Sequence, residues 1–172
     1  GAERHSFGML GDYVPLSRGE AQLYRAIREA VPVVDAAIYK LIRMTGGVTA
    51  RCTDRTAERE LGEFLRTVPV GRGQLGINAF LDCYLDTLLT CGRAVGEIVP
   101  SGSGGDVAAL LCGRVEDIEI QEGEHPLEFV ICGTDGQGRM GPLPYQNLLL
   151  FTPLNPETGN PYGVSILRSL PF

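Results

Sequence analysis

Apolar residues in the first ninety positions recur at the three-to-four-residue spacing of amphipathic helices. Ser17 and Glu20 have capping-box spacing, so a first helix is predicted to start at Ser17 and to run to about Ala30. Pro32 suits the first turn of a second helix, which ends at the Gly46-Gly47 pair. This second helix carries six apolar residues on one side: Val33, Val34, Ala37, Ile38, Leu41 and Ile42.

A short strand is predicted at residues 48–52, and Asp54 is placed to cap a third helix. That helix is interrupted at residues 68–71, where Pro69 lies. A fourth helix, from about Leu75 to Cys91, repeats the apolar spacing of the second at Phe80, Leu81, Tyr84, Leu85, Leu88 and Leu89. We expect the two apolar stripes to pack against each other or against one sheet.

From Gly92 onward the sequence changes to β-rich runs separated by Gly, Asp and Pro clusters, and residues 101–106 are predicted to form a hairpin turn. The predicted strands are residues 93–99, 107–120, 127–132, 139–143 and 148–151. Helices followed by strands predict an α+β fold in which N-terminal helices pack on a mainly antiparallel sheet or meander. Ser165 is placed to cap a further helix, which has not made two turns by Phe172.

The expected organisation is an extended N-terminal arm at residues 1–16 and a single α+β domain at residues 17–172. Within that domain, residues 17–92 are helical, residues 93–152 are β-rich, and residues 153–172 form a loop and the start of a helix. The interrupted helix suggests the front part of a longer protein.

The net charge of −6 is placed unevenly. Residues 1–92 hold 11 basic and 11 acidic side chains, whereas residues 93–172 hold 4 and 10. Six of the acids fall within thirteen residues: Glu116, Asp117, Glu119, Glu122, Glu124 and Glu128. This argues against tight nonspecific DNA binding by the second half. The cluster is either a solvated rim on a small sheet or an acidic surface that repels DNA or faces a basic partner.

The chain has an odd number of cysteines, all in apolar stretches, which favours buried free thiols in a reducing compartment: Cys52, Cys83, Cys91, Cys112 and Cys132. Their spacing gives no support for a zinc site. Neither a membrane span nor a signal peptide is inferred.

The candidate chemical motifs are weak. Residues 71–76 match GxGxxG, but no strand directly precedes Gly71, so a flexible connection between helices is preferred to a dinucleotide site. Residues 163–167 begin like a nucleophile elbow, but Leu167 replaces the final glycine. A catalytic triad would need His5 or His125 as its base, and both are poorly placed. No catalytic residue, cofactor-binding residue or metal ligand is predicted.

Taken in order, three segments resemble the N-terminal part of tailed-bacteriophage portal proteins. They are the early helix at residues 31–38, the strand at residues 92–99, and the strand, loop and Gly-x-Ser turn at residues 147–167. The most specific piece is Pro161-Tyr162-Gly163-Val164-Ser165-Ile166-Leu167. The resemblance is one of order and texture.

The resemblance implies a structural subunit of a homo-oligomeric ring, commonly of twelve copies, at one capsid vertex of the virion. Double-stranded DNA passes through such a ring without sequence-specific binding. The partners of the ring are the terminase, the neck and tail proteins and the major capsid protein. Assembly occurs in the cytoplasm of the bacterial host. Residues 1–172 would form much of the outer wing and would carry no enzymatic site. The alternatives are another oligomeric phage or secretion-apparatus subunit and a small nucleotide-binding enzyme built on residues 71–76.

Overall fold

Helices form in the first half of the chain where the apolar spacing predicts them. The computed structural model describes residues 18–71, 73–102, 105–124, 128–134, 137–157 and 162–169. The described residues contain four α-helices: α1 (Arg18–Ala30), α2 (Pro32–Met44), α3 (Arg55–Thr67) and α4 (Ile77–Cys91). Asp54 caps α3 as predicted, since its carboxylate accepts hydrogen bonds from the backbone N–H of Thr56 at 2.7 Å and of Ala57 at 3.3 Å. The arm at residues 1–16 and the cap at Ser17 lie outside the described residues.

The strand predicted at residues 48–52 is wrong. This segment is irregular and mostly exposed. The backbone N–H of Val48 donates to the side-chain Oδ1 of Asn78 at 3.2 Å instead of to a neighbouring strand. A strand needs a partner to satisfy its backbone groups, and no other strand is paired with this segment among the described residues.

The second half folds into antiparallel strands, so the α+β prediction is confirmed. The described strands are β1 (Pro69–Gly71), β2 (Gln74–Leu75), β3 (Arg93–Pro100), β4 (Val107–Cys112), β5 (Ile118–Glu122), β6 (Phe129–Thr134), β7 (Met140–Pro142) and β8 (Leu149–Pro153). They pair in the orders β1-β2, β4-β3-β8 and β5-β6-β7. The hairpin predicted at residues 101–106 joins β3 to β4, and Ser101 N–H donates to the Asp106 carbonyl at 2.8 Å. Because β8 returns beside β3, the strands do not form one continuous meander.

The run predicted as one strand at residues 107–120 is divided between two sheets. β4 ends at Cys112, a 3-10 turn follows at Val115–Asp117, and β5 begins at Ile118. Gly113 lies at the division, where its N–H donates to the Val95 carbonyl at 2.9 Å. A Cβ at this position would lie 2.7 Å from Cγ1 of Val95, so the absence of a side chain lets the chain cross β3 closely.

The core has two clusters, with residues of α4 and β3 in both. One is formed with α1 and α2 and includes Tyr24, Ile38 and Val115. The other is formed with β1 and β4 and includes Phe80, Tyr84 and Leu110. α2 packs against α4, and α4 packs against β3, as the two apolar stripes predict.

Candidate functional site

The segment with the most specific portal resemblance lies at a crowded backbone crossing, which we call the junction: Gly92, Leu154, Gly163 and Ser165. Leu154 N–H donates to the Gly92 carbonyl at 2.8 Å, and Val164 N–H donates to the Leu154 carbonyl at 2.7 Å. Gly92 and Gly163 have φ values of 77° and 72°, a region that disfavours other residues. A Cβ on Gly92 would overlap backbone atoms of Val164 and Ser165, and a Cβ on Gly163 would overlap those of Gly92 and Leu154. Both positions therefore require glycine.

Ser165 fastens the junction to the end of α4. Its buried hydroxyl donates to the Thr90 carbonyl at 2.6 Å and accepts from the Leu167 N–H at 3.0 Å. The second bond is the cap-type contact predicted for Ser165, although residues 166–169 form a turn and not an α-helix. A hydroxyl that is buried and bonded to two backbone groups is not available as a nucleophile.

Tyr162 connects the junction to the sheet β5-β6-β7. Its side chain is 1% exposed, and its hydroxyl accepts from the Ile120 N–H at 2.5 Å and donates to the Ile120 carbonyl at 3.0 Å. The Arg93 guanidinium lies 4.5 Å from the centre of the tyrosine ring, and Phe151 meets the ring edge-on at 6.0 Å. Because Arg93 begins β3 and Phe151 lies in β8, one side chain links the two three-stranded sheets.

Gln146 forms the same kind of paired hydrogen bonds with the backbone of β6, the strand next to β5. Its side-chain Oε1 accepts from the Ile131 N–H at 2.8 Å, and its Nε2 donates to the Ile131 carbonyl at 2.7 Å. Ile131 is the cross-strand partner of Ile120. Two side chains, those of Tyr162 and Gln146, thus satisfy the outward-facing backbone groups of this residue pair.

Ion pairs hold α1 to the rest of the domain. The Arg28 guanidinium bonds to Asp35 of α2 at 2.6 Å, and to Asp86 and Thr90 of α4 at 2.6 and 2.8 Å. A second pair joins α1 to the 3-10 turn, where Arg25 bonds to Glu116 at 2.7 Å. These contacts were not predicted, since they join residues far apart in the sequence.

The acidic cluster was predicted to be either a solvated rim or an acidic surface, but Glu116 belongs to neither. Its side chain is 2% exposed and also bonds to Arg114 at 3.0 Å. Burial alone would raise its pKa, but hydrogen bonds from Arg25, from its own backbone N–H and from Arg114 lower the pKa of Glu116 to about 2. Asp117 also lies near Arg114, whereas Glu124 and Glu128 are exposed. The acidic segment therefore has two parts: Glu116 and Asp117 form ion pairs within the domain, and Glu124 and Glu128 lie on the surface.

One side of α2 is apolar and exposed. We call it the outer face of α2: Val33, Ala37, Leu41 and Met44, which follow one another at helical spacing. Val33 is 72% exposed, Leu41 44% and Met44 71%. The sequence placed Val33, Ala37 and Leu41 in the same inward stripe as Ile38 and Ile42, of which only the last two are buried. Exposed apolar side chains grouped on one helix face are typical of a contact surface.

The GxGxxG match lies in a short antiparallel hairpin before α4. Gly71 ends β1, and Gly76 precedes α4 after the short antiparallel hairpin β1-β2, whereas a dinucleotide site needs a parallel strand leading into the helix. The segment connects α3 to α4, as the preferred interpretation predicts, but its ends pair as β1 and β2, and β1 packs on β4. His5 and His125 lie outside the described residues.

The cysteines differ more than predicted. Cys91 and Cys132 are buried and Cys112 is half-buried, but Cys52 and Cys83 are exposed. Cys52 lies in the irregular segment before α3, and Cys83 lies on the side of α4 that faces a cleft. Among the described residues, no group of three or more His, Cys, Asp or Glu side chains is arranged to hold a metal ion. No described helix combines the length and apolar character needed to cross a bilayer.

Comparison with known proteins gives a fold assignment. No protein-family profile and no curated protein sequence matches this chain. A chain in the solved structure titled "Virion of native gene transfer agent (GTA) particle" superposes with a TM-score of 0.67 and 19% sequence identity over 91% of this chain. This chain has the fold of a virion chain. It spans 41% of that chain's length.

Proposed function

We propose that this chain is a structural component of a phage-like virion and, more specifically, the wing region of a portal protein. The observation that carries the proposal is the fold shared with a gene transfer agent virion chain over 91% of the present sequence. The portal assignment draws on the order of the helix, strand and Gly-x-Ser segments. The most specific of these segments contains Tyr162, which bonds to the backbone of β5, and Gly163, which packs against the backbone of Gly92 and Leu154.

The role is mechanical and not enzymatic. The serine of the Gly-x-Ser segment uses its hydroxyl to bond α4, and Glu116 is bound by two arginines. The polar side chains at the junction and around Glu116 therefore hold backbone segments and helices together. Such a framework suits a subunit that must keep its shape while DNA moves past it.

In this proposal the outer face of α2 contacts a second copy of the chain within a ring at one capsid vertex. Burial of large apolar side chains drives most protein association. The major capsid protein, the terminase and the neck and tail proteins contact the completed ring, and double-stranded DNA passes through it. Assembly takes place in the cytoplasm of the host bacterium, and the ring remains in the virion.

The test is negative-stain electron microscopy of the full open reading frame product, purified without other phage proteins. Rings with a central hole are expected. Uniform small particles at high concentration would overturn the portal assignment and favour another oligomeric phage or secretion-apparatus subunit.

A matched pair of variants tests the surface. The double change Leu41→Glu and Met44→Glu is expected to abolish rings while leaving the circular dichroism spectrum unchanged. Leu61→Glu on α3, where the leucine is also exposed, is the control and is expected to leave the rings intact. Intact rings in the double variant would show that this face is not a ring contact.

A further inference from the structure

A cleft of about 830 Å³ lies between α2, α4 and β4. Its walls carry both polar and apolar side chains, including Tyr39, Arg43, Asp82 and Thr87. Two thiols, those of Cys83 on α4 and Cys112 on β4, line the same cleft. The proposed function gives the cleft no role.

The two thiols lie in the same cleft, on the two sides of the helix–sheet interface. Cys83 is close enough to Cys112 to raise the pKa of the Cys112 thiol. The Cys112 thiol also lies 3.7 Å from the carbonyl oxygen of Phe80, one turn before Cys83 in α4. The side chain of Cys112 is thus directed at the helix turn that carries Cys83.

The two cysteines differ in access. Cys83 is exposed, whereas Cys112 is half-buried, and burial together with the neighbouring Cys83 raises the pKa of Cys112 to about 12. An oxidant from solution therefore reacts with Cys83 first. Burial limits access to Cys112 and also disfavours its thiolate, which is the form that attacks a disulfide. Once Cys83 has reacted, its thiol no longer raises the pKa of Cys112.

We propose that Cys83 and Cys112 form a reversible intramolecular disulfide by exchange with a small disulfide such as oxidised glutathione. The Cys83 thiolate attacks one sulfur of the small disulfide, forming a mixed disulfide and releasing one glutathione thiolate. The Cys112 thiolate then attacks the Cys83 sulfur and displaces the second glutathione thiolate. Two protein thiols are oxidised, one small disulfide is reduced to two thiols, and the two protein protons pass through solvent to the released thiolates.

The bond would cross-link α4 to β4, which pack together in the second core cluster. Such a bond forms and persists outside the reducing interior of a cell. The inference does not depend on the portal assignment, because it uses only the cleft and its two thiols.

The experiment incubates the 172-residue chain with excess oxidised glutathione at mildly alkaline pH, quenches with acid, and maps the cysteines by non-reducing peptide mass spectrometry. A cross-linked peptide pair containing Cys83 and Cys112 is expected, and dithiothreitol should remove it. Cys52 is the internal control, since it is exposed like Cys83 and is expected to end as a glutathione adduct.

Two variants separate the steps. In Cys112→Ser, Cys83 is expected to remain as a stable glutathione adduct, like Cys52. In Cys83→Ser, Cys112 is expected to stay unmodified. The wild-type chain decides the question even if a variant fails to fold. A glutathione adduct on Cys83 with Cys112 still reduced, or no reaction at either thiol, would overturn the proposal.

Discussion

The junction at Gly92 and Gly163 and the outer face of α2 differ in what determines their residues. At the junction, backbone atoms of three segments approach so closely that neither glycine could carry a Cβ. On the outer face, Val33 and Met44 are more than two-thirds exposed. The residues of the junction are therefore explained by contacts within the chain, whereas the apolar residues of the outer face are not. Changes at the junction are therefore expected to affect the stability of the fold, and changes on the outer face of α2 are expected to affect association.

The largest effect is expected for Gly163→Ala. The new methyl group would overlap backbone atoms of Gly92 and Leu154, and no side-chain rotation can relieve such an overlap. We expect a loss of at least about 4 kcal/mol in the free energy of unfolding, or failure to fold. Urea denaturation followed by circular dichroism measures it.

The matched control is Gly73→Ala. Gly73 has a similar φ of 76°, but a Cβ at this position would meet no atom within 4 Å, so only the backbone conformation penalises the alanine. The expected loss there is about 1 kcal/mol. Equal losses in the two variants would mean that conformation, and not crowding, makes glycine necessary at the junction.

A smaller effect is expected for Tyr162→Phe. The ring contacts with Arg93 and Phe151 remain, but the N–H and the carbonyl of Ile120 lose their hydrogen-bond partner inside the protein. We expect the free energy of unfolding to fall by about 2 kcal/mol. Tyr39→Phe, in which the changed side chain is exposed, should cost almost nothing. A Tyr162 variant as stable as the Tyr39 variant would show that the link between the sheets does not depend on the hydroxyl.

The ion pairs of Glu116 predict a pH dependence. The pKa of Glu116 is lowered from 4.5 to about 2 in the folded chain, so its contribution is fully present above pH 4.5 and is lost as the pH falls towards 2. Arg25 and Arg114 are partly exposed, and water screens the pairs, so we expect a loss of about 1 to 2 kcal/mol over that range.

Urea denaturation at several pH values from about 5 down to about 2 tests this dependence. Glu116→Gln should remove that part of the slope. Glu157→Gln is the control, because Glu157 and its partner Arg168 are both exposed, and its slope should match that of the wild-type chain. A Glu116→Gln variant with the wild-type slope would contradict the assignment.

The sequence predicted most of the elements because their signals are local. Asp54 caps α3 through amides two and three residues away, and Gly92 ends α4. The α+β class follows from the same kind of pattern. What failed depends on partners distant in the chain: residues 48–52 have β-rich composition but no paired strand among the described residues, and the run at 107–120 divides where Gly113 crosses β3.

The site shows the same limit. The sequence selected the Tyr162–Leu167 region as distinctive but could not show that the Tyr162 hydroxyl binds Ile120, 42 residues earlier. Nor could it show that Arg25 reaches Glu116, 91 residues later. A Tyr-Gly-x-Ser sequence indicates a tight turn, but the strand that the turn closes upon is set by the whole fold.

The smallest effect is expected for Leu41→Ser on the outer face of α2. Leu41 and Ile42 are adjacent and belong to the same predicted stripe, yet Leu41 is 44% exposed and Ile42 is buried. Leu41→Ser should change the free energy of unfolding by no more than about 0.5 kcal/mol, whereas Ile42→Ser should cost about 3 kcal/mol or more. Sedimentation velocity on the same samples would report any change in association. A loss at Leu41 as large as that at Ile42 would mean that the outer face is covered within the chain, and its role as a contact with a second copy would then fail.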